Sequence, residues 1–125
     1  MDAVPTYRLR FEEREHYLFA HVQAAEIKLE LECGYMREVA DKCDALGATR
    51  CMVLRDIPEV LCDSGQFNIA REAMEMFRNI KICWVNPYAA NQASLDFASM
   101  VATNRGGEFR MFGTEIDAEK WLRSP

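Results

Sequence analysis

A chain of 125 residues, half of them hydrophobic and 28% charged, can bury one substantial core but not two, and its composition is that of an ordinary globular protein. Twenty Asp and Glu against 15 Lys and Arg leave a formal net charge of −5, which repels nucleic acid and anionic lipid, and the basic residues are scattered singly among acids. The expectation is one domain over 1–125, alone or as a small homo-oligomer such as a homodimer, with no nucleic-acid partner and no membrane span.

The N-terminal Met1-Asp2-Ala3-Val4-Pro5 has no basic stretch followed by an apolar one, so it does not read as a secretory leader. Five cysteines, at 33, 43, 51, 62 and 83, are odd in number, widely spaced and free of any Cys-x-x-Cys pair. That argues against a disulfide framework and a zinc knuckle, and a reducing cytoplasm fits best. Cys33 and Cys43 fall in a helical pattern and Cys51 and Cys83 in strand-like runs, where they read as small buried hydrophobes. Cys62 stands in a loop beside Asp63, whose charge is expected to raise the thiol pKa.

Tyr7, Leu9 and Phe11 alternate with Arg8, Arg10 and Glu12; Glu13-Arg14-Glu15 then interrupts before a second run, His16 to Val22. Alternation around a short polar break predicts a β-hairpin, with His16 and His21 on one strand but opposite faces, hence no shared metal. From Ile27 to Leu46 the spacing turns helical: Leu31, Tyr35, Val39, Cys43 and Leu46 share a face, Glu32 and Glu38 lie on others, and Gly47 marks the stop. Alternation of Ile27, Leu29 and Leu31 leaves a short strand extension open at the front of this helix.

Arg50 to Arg55 and Ile80 to Val85 are apolar runs of strand length, each followed by a loop and a helix, an order that implies parallel strands joined by crossovers. The helix from Phe67 to Phe77 carries Ile69, Ala73, Met76 and Phe77 inward. After Asn86-Pro87 another places Ala90, Ala93, Phe97, Met100 and Val101 on one stripe and stops near Asn104-Arg105-Gly106-Gly107. A last strand, Glu108 to Phe112, precedes Thr114-Glu-Ile-Asp117, a capping box with Asp for Glu, and a terminal helix docked by Ala118, Trp121 and Leu122. The prediction is α/β, a mixed sheet of about five strands with about four helices in the order ββαβαβαβα.

Phe97-x-x-x-Val101-x-x-Asn104-Arg105-Gly106-x-x-x-Arg110-x-Phe112 and Ala118-x-x-Trp121-Leu122, in that element order, resemble the STAS-like superfamily, in particular the SpoIIAA-like proteins related to bacterial anti-sigma-factor antagonists. The resemblance spans most of the chain and rests mainly on packing and turn residues. It implies a single STAS-like domain that works by binding a protein partner. In the phosphorylatable antagonists, an Asp-Ser-(Ser/Thr)-Gly turn opens a helix about eight residues after a strand and carries the acceptor hydroxyl. Here Asp63-Ser64-Gly65 stands in that place, with one hydroxyl residue rather than two and its Gly one position earlier. The family is also suspected of a relation to lipid-binding Sec14-type folds.

Ser64 therefore has three readings: a helix N-cap, a phosphoacceptor whose phosphate would meet the helix N–H groups, or a ligand contact. Arg55 and Asp56 end the preceding strand where ligands often meet open α/β sheets, or form a solvated pair there. Tyr88 and Asn91 open the third helix at the carboxyl end of a parallel strand and face either a ligand crevice or only the helix start. Met74, Met76, Phe77, Phe97, Met100 and Met111 are core residues or the lining of an apolar pocket; the pocket reading uses Met76, Phe77, Phe97 and Met100 to hold a small apolar, lipid-like ligand between the sheet and helices 2 and 3. Arg105 either binds an anion or belongs to a helix stop. Both glycine-rich phosphate-loop patterns are absent, and no nucleophile and base or metal cluster stands out. The sequence thus points to a non-enzymatic regulatory module without cofactor, presenting Arg55, Asp56, Asp63, Ser64, Gly65, Tyr88 and Asn91 to a partner, with a small-ligand carrier as the alternative.

Overall fold

The structure is a computed structural model that describes residues 6–125, so the leader reading of Met1 to Pro5 lies outside the described residues. Strands β1 (Arg8–Arg14) and β2 (Tyr17–Gln23) form an antiparallel hairpin running from Arg8 opposite Gln23 to Arg14 opposite Tyr17. The polar break is shorter than the sequence suggests. Arg14 stays in the strand because its guanidinium lies 3.8 Å over the Phe19 ring and donates to Tyr17 and Glu115. Only Glu15 and His16 turn the chain, His16 at a left-handed φ of 76°, so His16 does not share a strand with His21.

Helix α1 (Leu29–Leu46) follows and closes on Gly47 at φ 66°, where Ala48 N–H donates to the Cys43 carbonyl and Gly47 N–H to that of Asp44. That is the hydrogen-bond signature of a glycine-terminated helix. The helix starts two residues later than the hydrophobic spacing implies, without a strand extension. Leu31, Tyr35, Val39 and Cys43 are buried as expected, whereas Leu46 is exposed at the last turn and Glu32 points inward.

Strand β3 (Arg50–Asp56), helix α2 (Asp63–Met76), strand β4 (Lys81–Val85), helix α3 (Gln92–Asn104), strand β5 (Phe109–Phe112) and helix α4 (Glu115–Arg123) complete the order. The strands lie in sequence order, β1-β2-β3-β4-β5, with β2 to β5 mutually parallel. The expected fold class and element order are therefore present. Alternate strand residues sort the core into two. Leu18, Ala20, Val53, Ile82, Trp84 and Phe109 pack with the first three helices, and Phe19, Met52, Cys83 and Val85 pack with Ala118 and Leu122 of α4 on the other side.

Helix α3 starts later than Pro87 suggests, because Ala89–Asn91 first forms a 3₁₀ turn. Its inward stripe is Leu95, Ala98, Val101 and Ala102; Ala90 and Ala93 are exposed, Met100 is 53% exposed and Phe97 only half-buried. A short spacing between α2 and α3 favours small residues at the contact, which turns Ala98 inward and the bulkier Met100 outward. Its stop is as expected, with Gly106 at φ 92°. Thr114 caps α4 by accepting from Asp117 N–H at 3.3 Å. Among the described residues, no helix is long and apolar enough to cross a membrane.

Candidate functional site

At the carboxyl end of β3, consecutive residues point to opposite faces of the sheet, so Arg55 and Asp56 are not a pair. Arg55 is 1% exposed, which corrects its expected place on a partner-facing loop. Its Nε donates to Glu32 Oε1 at 3.0 Å, and one terminal nitrogen meets the same oxygen. The remaining reach is spent on the next loop: one terminal nitrogen donates to the Ile57 carbonyl at 3.1 Å, the other to that of Glu59 at 3.0 Å. A buried guanidinium is tolerated under these conditions, with a counter-ion and satisfied donors.

The β3–α2 loop is tied from other directions as well. Asn91 is buried, and its amide donates to the Pro58 carbonyl at 3.0 Å. Glu59 Oε1 accepts from Ile27 N–H at 2.9 Å, and Gln66 reaches the Leu61 carbonyl at 3.4 Å. Asn91 is the N-cap residue of α3, as its helix-start reading has it, and its side chain faces the loop backbone. Gly65 has a steric reason here: a Cβ would stand 2.9 Å from Leu61 Cβ, so a larger residue would push the loop away from α2.

The N-cap of α2 is Cys62, at φ −63° and ψ 169°, and the helix begins with Asp63. Ser64 is therefore inside the first turn, which corrects its reading as the cap. Cys62, Asp63 and Ser64 are all exposed, and Cys62 Sγ lies 3.3 Å from Ser64 Oγ. The Ser64 hydroxyl, then the Gly65 backbone N–H, hold the Cys62 thiol below its ordinary pKa, which reverses the expectation drawn from its acidic neighbour. Donors at a helix start favour a negative charge on the sulfur, which is the direction of the shift.

Asp56 faces the α4 side. Tyr88 O–H donates to Asp56 Oδ1 at 2.6 Å, Gln23 donates to Oδ2 at 3.0 Å, and His21 Nε2 lies 3.6 Å from the same oxygen. Tyr88, then Gln23, hold the carboxyl below its ordinary range, and Asp56 in turn pushes the Tyr88 hydroxyl up. Gln23, Asp56 and Tyr88 border an open surface depression with Arg8.

Among the residues expected to face a ligand, Phe77 is core, stacked edge-on against Trp84 and Phe109 at centroid distances of 5.9 and 6.2 Å. Met76 lies in a separate surface cleft with Ile80, and Met100 faces solvent. The enclosed space between the sheet and helices α2 and α3 is about 30 Å³ and is lined instead by residues that include Tyr35, Gln66, Trp84 and Ala98. That is on the order of one or two water molecules, too small to enclose a lipid. The Arg105 guanidinium lies 5.1 Å from the Phe67 ring centroid, in a cation–π contact, and Arg105 is the C-cap residue of α3. Among the described residues, no group of three or more His, Cys, Asp or Glu is placed to hold a metal.

Glu32, Gln23 and Gln66 are site residues that the sequence does not single out, and His21 is considered there only as a metal ligand. Only one had a signal: a glutamate one step from Leu31 and three from Tyr35 on a helix is close enough to the apolar face to be drawn inward.

No protein-family model matches the chain, and no curated protein matches its sequence. Among solved structures, an anti-sigma factor antagonist from Mycobacterium paratuberculosis superposes with a TM-score of 0.62 over 99% of this chain and 100% of that one, at 14% identity. The shared property at that identity is the fold.

Proposed function

We propose that the chain is a non-enzymatic regulatory module, a single STAS-like domain that binds a protein partner through the β3–α2 loop and the first turn of α2, with Ser64 as the switch. The observation that carries this reading is the tethering of the loop. Arg55, Asn91 and Gln66 hold its backbone from beneath while Cys62, Asp63 and Ser64 stand exposed at its end. A surface fixed before binding loses little conformational freedom when a partner docks. The solved antagonist shares this fold over its whole length, and an antagonist of an anti-sigma factor acts on a protein; the same class of partner is proposed here. Among the described residues neither histidine is hydrogen-bonded to the Cys62 thiol or the Ser64 hydroxyl: His16 lies beside Glu15, and His21 Nε2 lies 3.6 Å from Asp56.

A phosphate on Ser64 would meet first-turn N–H groups that have no partner within the helix, and it would add a second negative charge beside Asp63. The exposed surface would then become locally more negative without refolding. The first measurement is the mass of protein purified from its own host: an excess of about 80 Da mapped to Ser64 identifies the phosphate. A partner recovered with Ser64→Ala should bind Ser64→Asp at least about fivefold more weakly, the scale of a charge placed in an interface. Equal binding by the two variants would sink the switch.

A further inference from the structure

The sheet has two edge strands, β1 and β5, and the fold treats them differently. An edge strand turns every second N–H and C=O away from its neighbour, and these groups are a template for another strand unless something covers them. On β5 the outward Phe109 carbonyl accepts from Ser99 Oγ at 3.3 Å and from Thr103 Oγ1 at 3.4 Å, so α3 closes an edge only four residues long. Strand β1 is seven residues long, and among the described residues nothing bonds to its outward backbone groups. The two-residue turn makes Arg14 and Tyr17 a hydrogen-bonded pair, and alternation then turns the N–H and C=O of Leu9, Phe11 and Glu13 outward. Proline, lysine and bulges, which commonly blunt an edge, are absent: the register with β2 is continuous from Arg8 to Arg14.

Charge selects the strand that fits this edge. Arg8, Arg10 and Glu12 are exposed and share one face of β1. A second copy of the chain, related by a two-fold axis perpendicular to the sheet, brings its own β1 alongside in the antiparallel sense. With Phe11 on the axis, Arg10 of each copy stands opposite Glu12 of the other, and Leu9 opposite Glu13. An axis at Leu9 sets Arg8 against Arg10, and an axis at Arg10, Glu12 or Glu13 sets a charge against itself. Arg8 does fall opposite Arg14 in the favoured register, but the Arg14 guanidinium is turned onto the Phe19 ring and Glu115. The strand is held in place beforehand: Lys42 Nζ stands 5.7 Å over the Phe11 ring, and Tyr7 O–H donates to Glu38 of α1. We propose that β1 is the interface of a symmetric homodimer, in which two copies pair their β1 strands antiparallel about Phe11 and join their sheets into one. Because the copies run in opposite directions, their two β3–α2 loops leave from opposite ends of the joined sheet, each free to bind separately. The proposal does not depend on what those loops bind.

Sedimentation equilibrium of the full chain reads the dimer, and charge exchange reads its register. The wild type should dimerise, with the amides of Leu9, Phe11 and Glu13 gaining protection from exchange as concentration rises. Arg10→Glu and Glu12→Arg each set like charges beside the axis and should weaken association at least about tenfold, their folds verified by circular dichroism. An equimolar mixture of the two variants should dimerise again, because unlike charges then face each other at both positions. Phe11→Pro removes an N–H that the monomer leaves to solvent and should give a folded monomer; if it does not fold, the mixture decides alone. A wild type that stays monomeric at about 1 mM would overturn the proposal and leave the edge to a strand of a different protein. A dimer unaffected by Arg10→Glu would overturn it as well, as would variants that fail to associate when mixed.

Discussion

A guanidinium with 1% exposure keeps its charge only because a carboxylate meets it and its other donors end on carbonyls. Arg55 thereby does two things with one side chain: it joins β3 to α1 through Glu32, and it holds the chain from Ile57 to Glu59. Removing one partner leaves the other charged, buried and alone. Arg55→Met should cost about 3–5 kcal/mol in urea unfolding, whereas Arg55→Met combined with Glu32→Leu should recover most of that loss. The double variant should still show faster amide exchange from Ile57 to Leu61, since its loop carbonyls have lost their donor. Unchanged exchange there would remove Arg55 from the positioning of the loop. Such a pairing is hidden in the sequence, where Glu32 and Arg55 stand 23 positions apart and each resembles an ordinary surface charge.

The Tyr88 to Asp56 bond links two elements, the end of β3 and the segment that leads into α3. Because Asp56 is held below its ordinary value of 3.8, the folded chain takes up this proton less readily than the unfolded one. The resulting stabilisation is present above that value and is lost as pH falls through the lower folded-state pKa. Tyr88→Phe should therefore lower stability near neutral pH, with the gap from the wild type narrowing in acid. A gap of constant size down to about pH 2 would assign the loss to packing instead. The elements themselves are legible because period-two alternation marks the hairpin, apolar runs mark β3 and β4, and Gly47 and Gly106 end their helices where left-handed residues are needed. The orientation of α3 is not legible: Phe97 and Met100 outweigh Ala98 in any hydrophobic count, yet the close approach of α2 selects the smaller side chain. The cap of α2 is hidden for a similar reason. Asp63 and Ser64 are the preferred cap types, but the tethered loop delivers Cys62 to that position.

The sheet has a helix layer on each side, and the second rests on α4 alone. Leu122 is fully buried against the group that contains Phe19, Met52 and Cys83, so Leu122→Ala should cost about 2–5 kcal/mol and uncover the opposite face of the sheet. A loss below about 1 kcal/mol would mean that the face closes without α4 packing. The same helix is tied down by polar contacts: Arg50 donates to the Leu122 carbonyl at 2.8 Å, and Lys81 Nζ donates to that of Ser124 at 2.7 Å. Arg50 and Lys81 are the first residues of their strands, whereas the loop that holds Cys62 and Ser64 leaves from the last residues of β3. Seven residues of extended strand, about 20 Å, separate the two ends. A molecule tethered to a sensor surface through Pro125 would accordingly stand with its β3–α2 loop turned toward the solution, an orientation that leaves the candidate interface free while binding is measured.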